Sequence, residues 1–542
     1  MRMKKSLLYL ICGLCSLQVY ADVPPRDRLL GKQGEAWVSQ GNDPEKYDYN
    51  AFKEVTSLDG SKGLLSGTRV RRVGSQATAP MRAKGSPKVP VVLVQFSDLA
   101  FTVDSTAAGV NDHYYKFCNG NMDGTLYGGD KGYGSVRDYF VQQSDSLFLP
   151  EFVIIGPVTL PESYVYYGKN ENGKKDVNVT DFFKQSVAEA QKLESNWDQF
   201  DNDNDGVVDM VYFIYAGEGE NAQTDPNTIW PKEMLTASSI GGVNLSCYAA
   251  CNELYGKDPD GIGVMCHEFS HALGLPDLYD TGGDNYGLDY WDVMDAGCYC
   301  RNGYWPCGYS SYEKDFMGWK ELVSLEYNKE CDLELLPLTE GGCGYKIVNP
   351  ENENEYYVLE NRQNTGWDTY IGRGTKSFKS HGMLVMHVDY IYSWWRSNSV
   401  NTSYVHPGVS IVPADNELLS LYAIADDEYA RWKQSTQGDP FPGFTGRTSL
   451  LSNEQPVYTD SKYLHQPLTN IVEHDDGKVT LTVCRFADVD ANGAVDTQDV
   501  LNVYNFISTS DVNSPFVPED MNTDGVVDTQ DALGIYDYIQ QR

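Results

Sequence analysis

Positive charge is scarce in this sequence: 42 lysines and arginines face 77 aspartates and glutamates, leaving a formal net charge of -35. A deficit of that size argues against the basic patches that nucleic acid and anionic membrane surfaces require, so neither is expected as a partner. Long apolar runs are missing as well. Only the first residues, MRMKKSLLYLICGLCSLQVYA, approach one, and polar Ser16 and Gln18 interrupt it before it reaches the roughly 18 residues a membrane span needs. Basic Arg2, Lys4 and Lys5 precede that run and small Val19 and Ala21 follow it, which gives residues 1–21 the layout of a removable signal peptide. A secreted, extracellular protein is expected. Beyond the leader there are no paired CxxC spacings, so a zinc knuckle at Cys298, Cys300 and Cys307 is not favoured, and the ten remaining cysteines suit disulfides or buried thiols with their pairing open. No cysteine lies between residues 22 and 117, which excludes latency through a prosegment thiol.

What is abundant points to folded domains. The chain has 542 residues, more than one hydrophobic core accommodates, and its 38 tyrosines are unlike a disordered composition. Residues 22–87 are rich in Arg, Lys, Gly and Ser and read as a prosegment ending in an exposed, cleavable linker, with an ordinary ragged N-terminus as the plainer reading. Compact patterning begins at Val89. The strand-like run to Phe96, the helical spacing of 134–144, the strand-like Phe152–Ile155, the amphipathic 180–194 and the strand-like 207–215 give 88–325 a mixed α/β pattern. Residues 326–485 carry short alternating runs and read as a β-rich domain, and 486–542 as a small all-α duplicated unit.

The chemistry concentrates at His267-Glu268-Phe269-Ser270-His271. A proline-free apolar helix here puts positions i and i+4 on one face, so both imidazoles can reach one cation. Zinc needs a third protein ligand and an open position for water. Gly274 can turn the chain after the helix, and Asp277 then supplies a carboxylate. The extended spacing resembles the metzincin metalloproteases, with Asp277 in place of the commoner third His, and Tyr290 to Gly297 resembles their Met-turn, with Met294 as the floor residue. Glu268 is the expected general base and acid.

Three acidic loops have the ligand spacing of a calcium site, with oxygen donors at alternate positions and a glycine at the sixth. The first is Asp201, Asp203, Asp205, the Val207 carbonyl and Asp209, running into a strand. The second is Asp488, Asp490, Asn492, the Ala494 carbonyl, Asp496 and Asp499, and it recurs 32 residues later as Asp520, Asn522, Asp524, the Val526 carbonyl, Asp528 and Asp531. Position 12 is Asp where an EF-hand has Glu, and one helix follows each loop, so the tail resembles a type I dockerin, a module that docks onto cohesin domains of scaffold proteins. A calcium-stabilised cap without a partner is the plainer reading of the same residues.

With these residues placed, the chain from about 88 to 484 resembles the immune inhibitor A family, the M6 metallopeptidases. The resemblance rests on Phe96-Ser97-Asp98, Ser135 to Phe140, the Asp201 loop running to Glu220, His267 to Asp280, Leu359 to Gln363, and His387-Val388-Asp389. It implies a metzincin-like α/β (α+β) catalytic domain and a secreted endopeptidase made as a zymogen, with catalytic Zn2+, structural Ca2+ and protein substrates. Two rivals remain at this level: an inactive cohesin-docked binding protein on the same fold, and a zinc hydrolase acting on glycans or esters.

Overall fold

The computed structural model describes residues 19–21 and 79–540, apart from 223–224, 282–285, 350–351, 374–379, 404–405, 420–434, 451–465, 491–494, 510–511, 513–518 and 522–525. Most of the expected leader and prosegment, and the loop positions Asn492, Ala494, Asn522 and Asp524, therefore lie outside the described residues.

The main sheet has seven strands. Its order is β1 (Val19–Ala21), β5 (Lys232–Ile240), β6 (Val243–Tyr255), β4 (Val208–Glu218), β2 (Lys88–Gln95) and β3 (Glu151–Thr159), with β7 (Asp258–Pro259) paired to β6. Pairing is parallel among β6, β4, β2 and β3, and antiparallel where β5 and β1 are added at one edge. The strand period of two splits each apolar run between two cores. Val91, Leu93, Met210, Tyr212 and Ile214 face one side, where helices α1 (Ala107–Asn119), α2 (Val136–Gln143) and α4 (Gly263–Ala272) pack. Val92, Val94, Val211, Phe213 and Tyr215 face the other, against α3 (Val179–Ala190).

Past residue 322 the chain forms a five-stranded sheet in the order β13 (Val409–Ile411), β12 (Gly382–Asp389), β11 (Asn352–Arg362), β10 (Tyr345–Asn349) and β8 (Val323–Ser324). Beside it lies a three-stranded sheet of β14 (Leu468–Glu473), β15 (Val479–Val483) and β9 (Cys331–Leu335). One face of the five-stranded sheet, with Tyr356, Val358, Met386 and Val388, joins the same buried cluster as α4. Its other face, with Tyr357, Leu359 and Val385, packs with the three-stranded sheet. The two regions thus share one core. Helix α5 (Tyr392–Arg396) leaves β12 and returns the chain towards α4, anchored by Trp395, whose Nε1 donates to the Tyr312 hydroxyl at 2.7 Å.

The tail forms two helices, α6 (Thr497–Thr509) and α7 (Thr529–Gln540), over a small core of its own that includes Val503, Val527 and Ile535.

One expectation needs correcting. The stretch around Met81, read as an exposed linker, is packed against the main-sheet region: Ala79, Met81 and Ala83 are buried, Met81 N donates to the Ala272 carbonyl at 2.9 Å, and Trp319 Nε1 donates to Ala83 O at 2.5 Å. Buried Ala79, Met81 and Ala83 flank exposed Arg82 and Lys84, a pattern the basic composition masks. Among the described residues the cysteines are buried, except the half-buried Cys331 and Cys343.

Candidate metal centre

Helix α4 is buried along its whole length. It ends where Gly274 takes φ +98°, a conformation a side chain would strain, and an added Cβ there would come within 2.9 Å of the Ala79 Cβ. That reversal carries Asp277 back over the helix. Its Oδ1 lies 3.1 Å from His267 Nε2 and 3.4 Å from His271 Nε2, and the three side chains are buried.

The far side of each ring decides whether these atoms suit a metal. His267 Nδ1 lies 2.9 Å from the Val293 carbonyl and His271 Nδ1 lies 2.8 Å from the Leu275 carbonyl. A carbonyl accepts only from a protonated nitrogen, so in the neutral ring Nδ1 carries the hydrogen and the Nε2 lone pair points at the shared centre. Burial pushes the His271 imidazole below its ordinary pKa, more than the Asp277 carboxylate raises it, which keeps that ring neutral. Two donors about 2.05 Å from a tetrahedral zinc stand about 3.3 Å apart, so the observed spacings suit zinc. Glu268, the residue that follows His267 on the helix, is fully buried.

Met294 is fully buried, in a segment tied down on both sides. Its N–H donates to Asp292 Oδ1 at 2.7 Å and its carbonyl accepts from Leu278 N at 3.0 Å. The turn therefore orients His267 through Val293 and fixes the loop that bears Asp277. Cys266 points into the core, and burial raises its thiol pKa well above the usual range.

Sequence reasoning missed Asn398. This residue, just after α5 and 2% exposed, accepts from Asp277 N through Oδ1 at 2.7 Å, and its Nδ2 donates to Asp277 Oδ2. No local pattern marks it, because its partner is 121 positions away.

Of the first acidic loop, the structure gathers Asp201, Asp203 and Asp205, whose carboxylate oxygens lie within 4.8 Å of one another. Asp209 is not in that group: its Oδ2 accepts from Asn202 N and Nδ2 at 2.9 and 2.7 Å, and burial raises its pKa to about 6. Val207 is half-buried, its N–H donating to Asp205 Oδ1 at 2.9 Å.

In the tail, Asp488, Asp490 and Asp499 converge in the same way. Asp496 stands outside the group, its N–H donating to Asp499 Oδ2 at 2.7 Å. The second repeat copies this, with Asp528 N donating to Asp531 Oδ2 at 2.8 Å. Asp520 and Asp531 are buried, and Val526 is 38% exposed.

Residues 76–322 match the family model described as the immune inhibitor A peptidase M6 catalytic domain. The chain is similar to immune inhibitor A of Bacillus thuringiensis subsp. alesti, 26% identical over 47% of this chain and 45% of that protein. It is also similar to the pre-pro-metalloprotease PrtV of Vibrio cholerae serotype O1 (strain M66-2), 24% identical over 48% of this chain and 33% of that protein. It thus spans less than half the length of either relative. The span that supplies His267, Glu268, His271, Asp277 and Met294 is the span that matches the M6 peptidase catalytic domain.

Proposed function

We propose that the protein is a secreted zinc-dependent endopeptidase. The observation that carries this reading is the pair of carbonyl-bound imidazoles presenting Nε2 to one carboxylate oxygen in a buried site. His267, His271 and Asp277 would hold the zinc, which when bound lowers the pKa of its water and polarises the scissile carbonyl. Glu268 accepts the proton of the attacking water on its carboxylate and returns it to the leaving amine. The buried Met294 segment and the Leu275 carbonyl keep both rings in the required tautomer. The metalloprotease named among the similar proteins supports a peptide substrate over a glycan or ester. Hydrolysis of casein, abolished by a zinc chelator and restored by added zinc, is the expected result; proteolysis indifferent to the chelator refutes it.

The acidic loops are proposed as calcium sites that stabilise the catalytic region and the tail. For the tail, docking to a cohesin is favoured by one observation. Leu501 and Tyr504 are 54% and 46% exposed, and their repeat partners Leu533 and Tyr536 are 57% and 46% exposed, although Val503 and Ile535 beside them are fully buried. Two equivalent apolar pairs left open by a duplicated fold form a surface for a protein partner. Among the described residues no helix is long and apolar enough to cross a membrane.

A further inference from the structure

We propose that Asn398, from the β-rich region, is a positioning residue of the metal centre, so that the site is completed by chain well outside the matched peptidase domain. The proposal rests on reading His267, His271 and Asp277 as zinc ligands.

A carboxylate on a short side chain can turn its plane about the last bond and present either oxygen, because that torsion is broad and two-fold. Asp277 has to present Oδ1 to both imidazoles. Asn398 removes the freedom: its amide donates to Oδ2 while its own oxygen accepts from the Asp277 backbone N–H. The two hydrogen bonds bracket the residue at backbone and side chain. Only an amide serves both, since it carries a donor and an acceptor in one plane.

The clamp is itself held. Asn398 adopts φ +51°, a left-handed conformation that Asn tolerates better than most residues. Its carbonyl accepts from Thr281 Oγ1 at 3.1 Å, on the far end of the same loop. Three residues on, Asn401 Nδ2 donates to Leu278 O at 2.8 Å while its Oδ1 accepts from Val409 N at 3.0 Å, which ties the loop to β13. Leu278 N in turn binds the Met294 carbonyl. The ligand loop is thereby stapled between the Met294 turn on one side and the 398–401 segment on the other.

The test is zinc affinity of the full chain by competition with a chromophoric chelator. Asn398→Gly keeps the left-handed backbone and removes the amide. The expected result is zinc binding weakened about 10–100-fold, the usual loss for an outer-shell partner, in a variant that still unfolds cooperatively, with a lower melting temperature because the buried Asp277 N–H and Oδ2 lose their partner. The visible spectrum of the cobalt-substituted variant should shift from that of the parent, which a remote packing defect would not cause. Should this variant fail to fold, Asn398→Asp, which tolerates the same left-handed backbone and keeps an acceptor for the Asp277 N–H while losing the amide donor, takes its place with the same expectation. Parental affinity in a folded variant, or failure of both variants to fold in excess zinc, overturns the proposal, because Asn398 would then serve the fold and not the ligand. A parent that binds no zinc refutes the reading of the centre instead, so the two failures are distinct.

Discussion

The candidate metal centre and the acidic loops hold oxygen and nitrogen donors in opposite ways. In the loops, the converging carboxylates come from within about a dozen residues, as in Asp201, Asp203 and Asp205, and the backbone turn that gathers them is local. At the centre, His267 and His271 come from one helix, Asp277 from the loop after it, their orienting carbonyls from Val293 and Leu275, and the Asp277 clamp from Asn398. A local site can form as soon as its loop does. An assembled site inherits the stability of the whole core, because each orienting group arrives on a different packed element. Perturbations of the shared core should therefore reach the centre and spare the tail, whereas perturbations of the tail should stay there.

The largest effect is expected at Arg362. This guanidinium is 1% exposed and binds Asp368 Oδ2 and Glu360 Oε1, each at 2.9 Å, and the Gly308 carbonyl; Glu360 also accepts from Ser311 N. Arg362→Met leaves two carboxylates buried beside one another and should cost about 3–5 kcal/mol, read as a lower melting temperature of the main region with the tail's transition unmoved. Equal loss in both transitions would break the contrast between the two regions.

Asp499→Ala comes next. It strands the Val489, Asp490 and Asp496 N–H groups that this carboxylate accepts and removes a proposed calcium ligand. The expected cost is about 1–3 kcal/mol, confined to the tail, with loss of the calcium-dependent gain in tail helicity by circular dichroism and unchanged proteolysis. The smallest effect on stability belongs to the double variant Leu501→Glu and Leu533→Glu. Both side chains are more than half exposed, so melting should move by no more than about 0.5 kcal/mol equivalent while binding to a cohesin array is lost. Retained binding with destabilisation would mean that the exposed pairs belong to the fold.

What could be read directly from the residues follows the same division. The three metal-facing side chains lie within 11 positions on a helix and its terminating glycine, so periodicity and turn chemistry suffice to bring them together. The alternation in Val91–Val94 and Val211–Tyr215 likewise announces strands, and their burial on both faces appears as unbroken apolar runs. Asn398 could not be read, because a single asparagine after a short helix has no pattern and its meaning lies in a partner 121 residues away. Nor could the sharing of one core between the seven-stranded and five-stranded sheets, since alternation reveals that a strand has two faces but not what covers each. Asp209 fits position 9 of a calcium loop by spacing, yet its carboxylate turns to Asn202, a local competition that spacing alone does not resolve.

The central claim is that the convergence of His267, His271 and Asp277 is a catalytic zinc site served by Glu268. Metal analysis of the purified parent and of Glu268→Ala, run beside a peptidase assay, tests it most directly. One tightly held zinc per chain is expected in both proteins, with the rate in the variant lower by roughly 100- to 10,000-fold. Absence of bound zinc from the parent, or undiminished proteolysis by the variant, would contradict it.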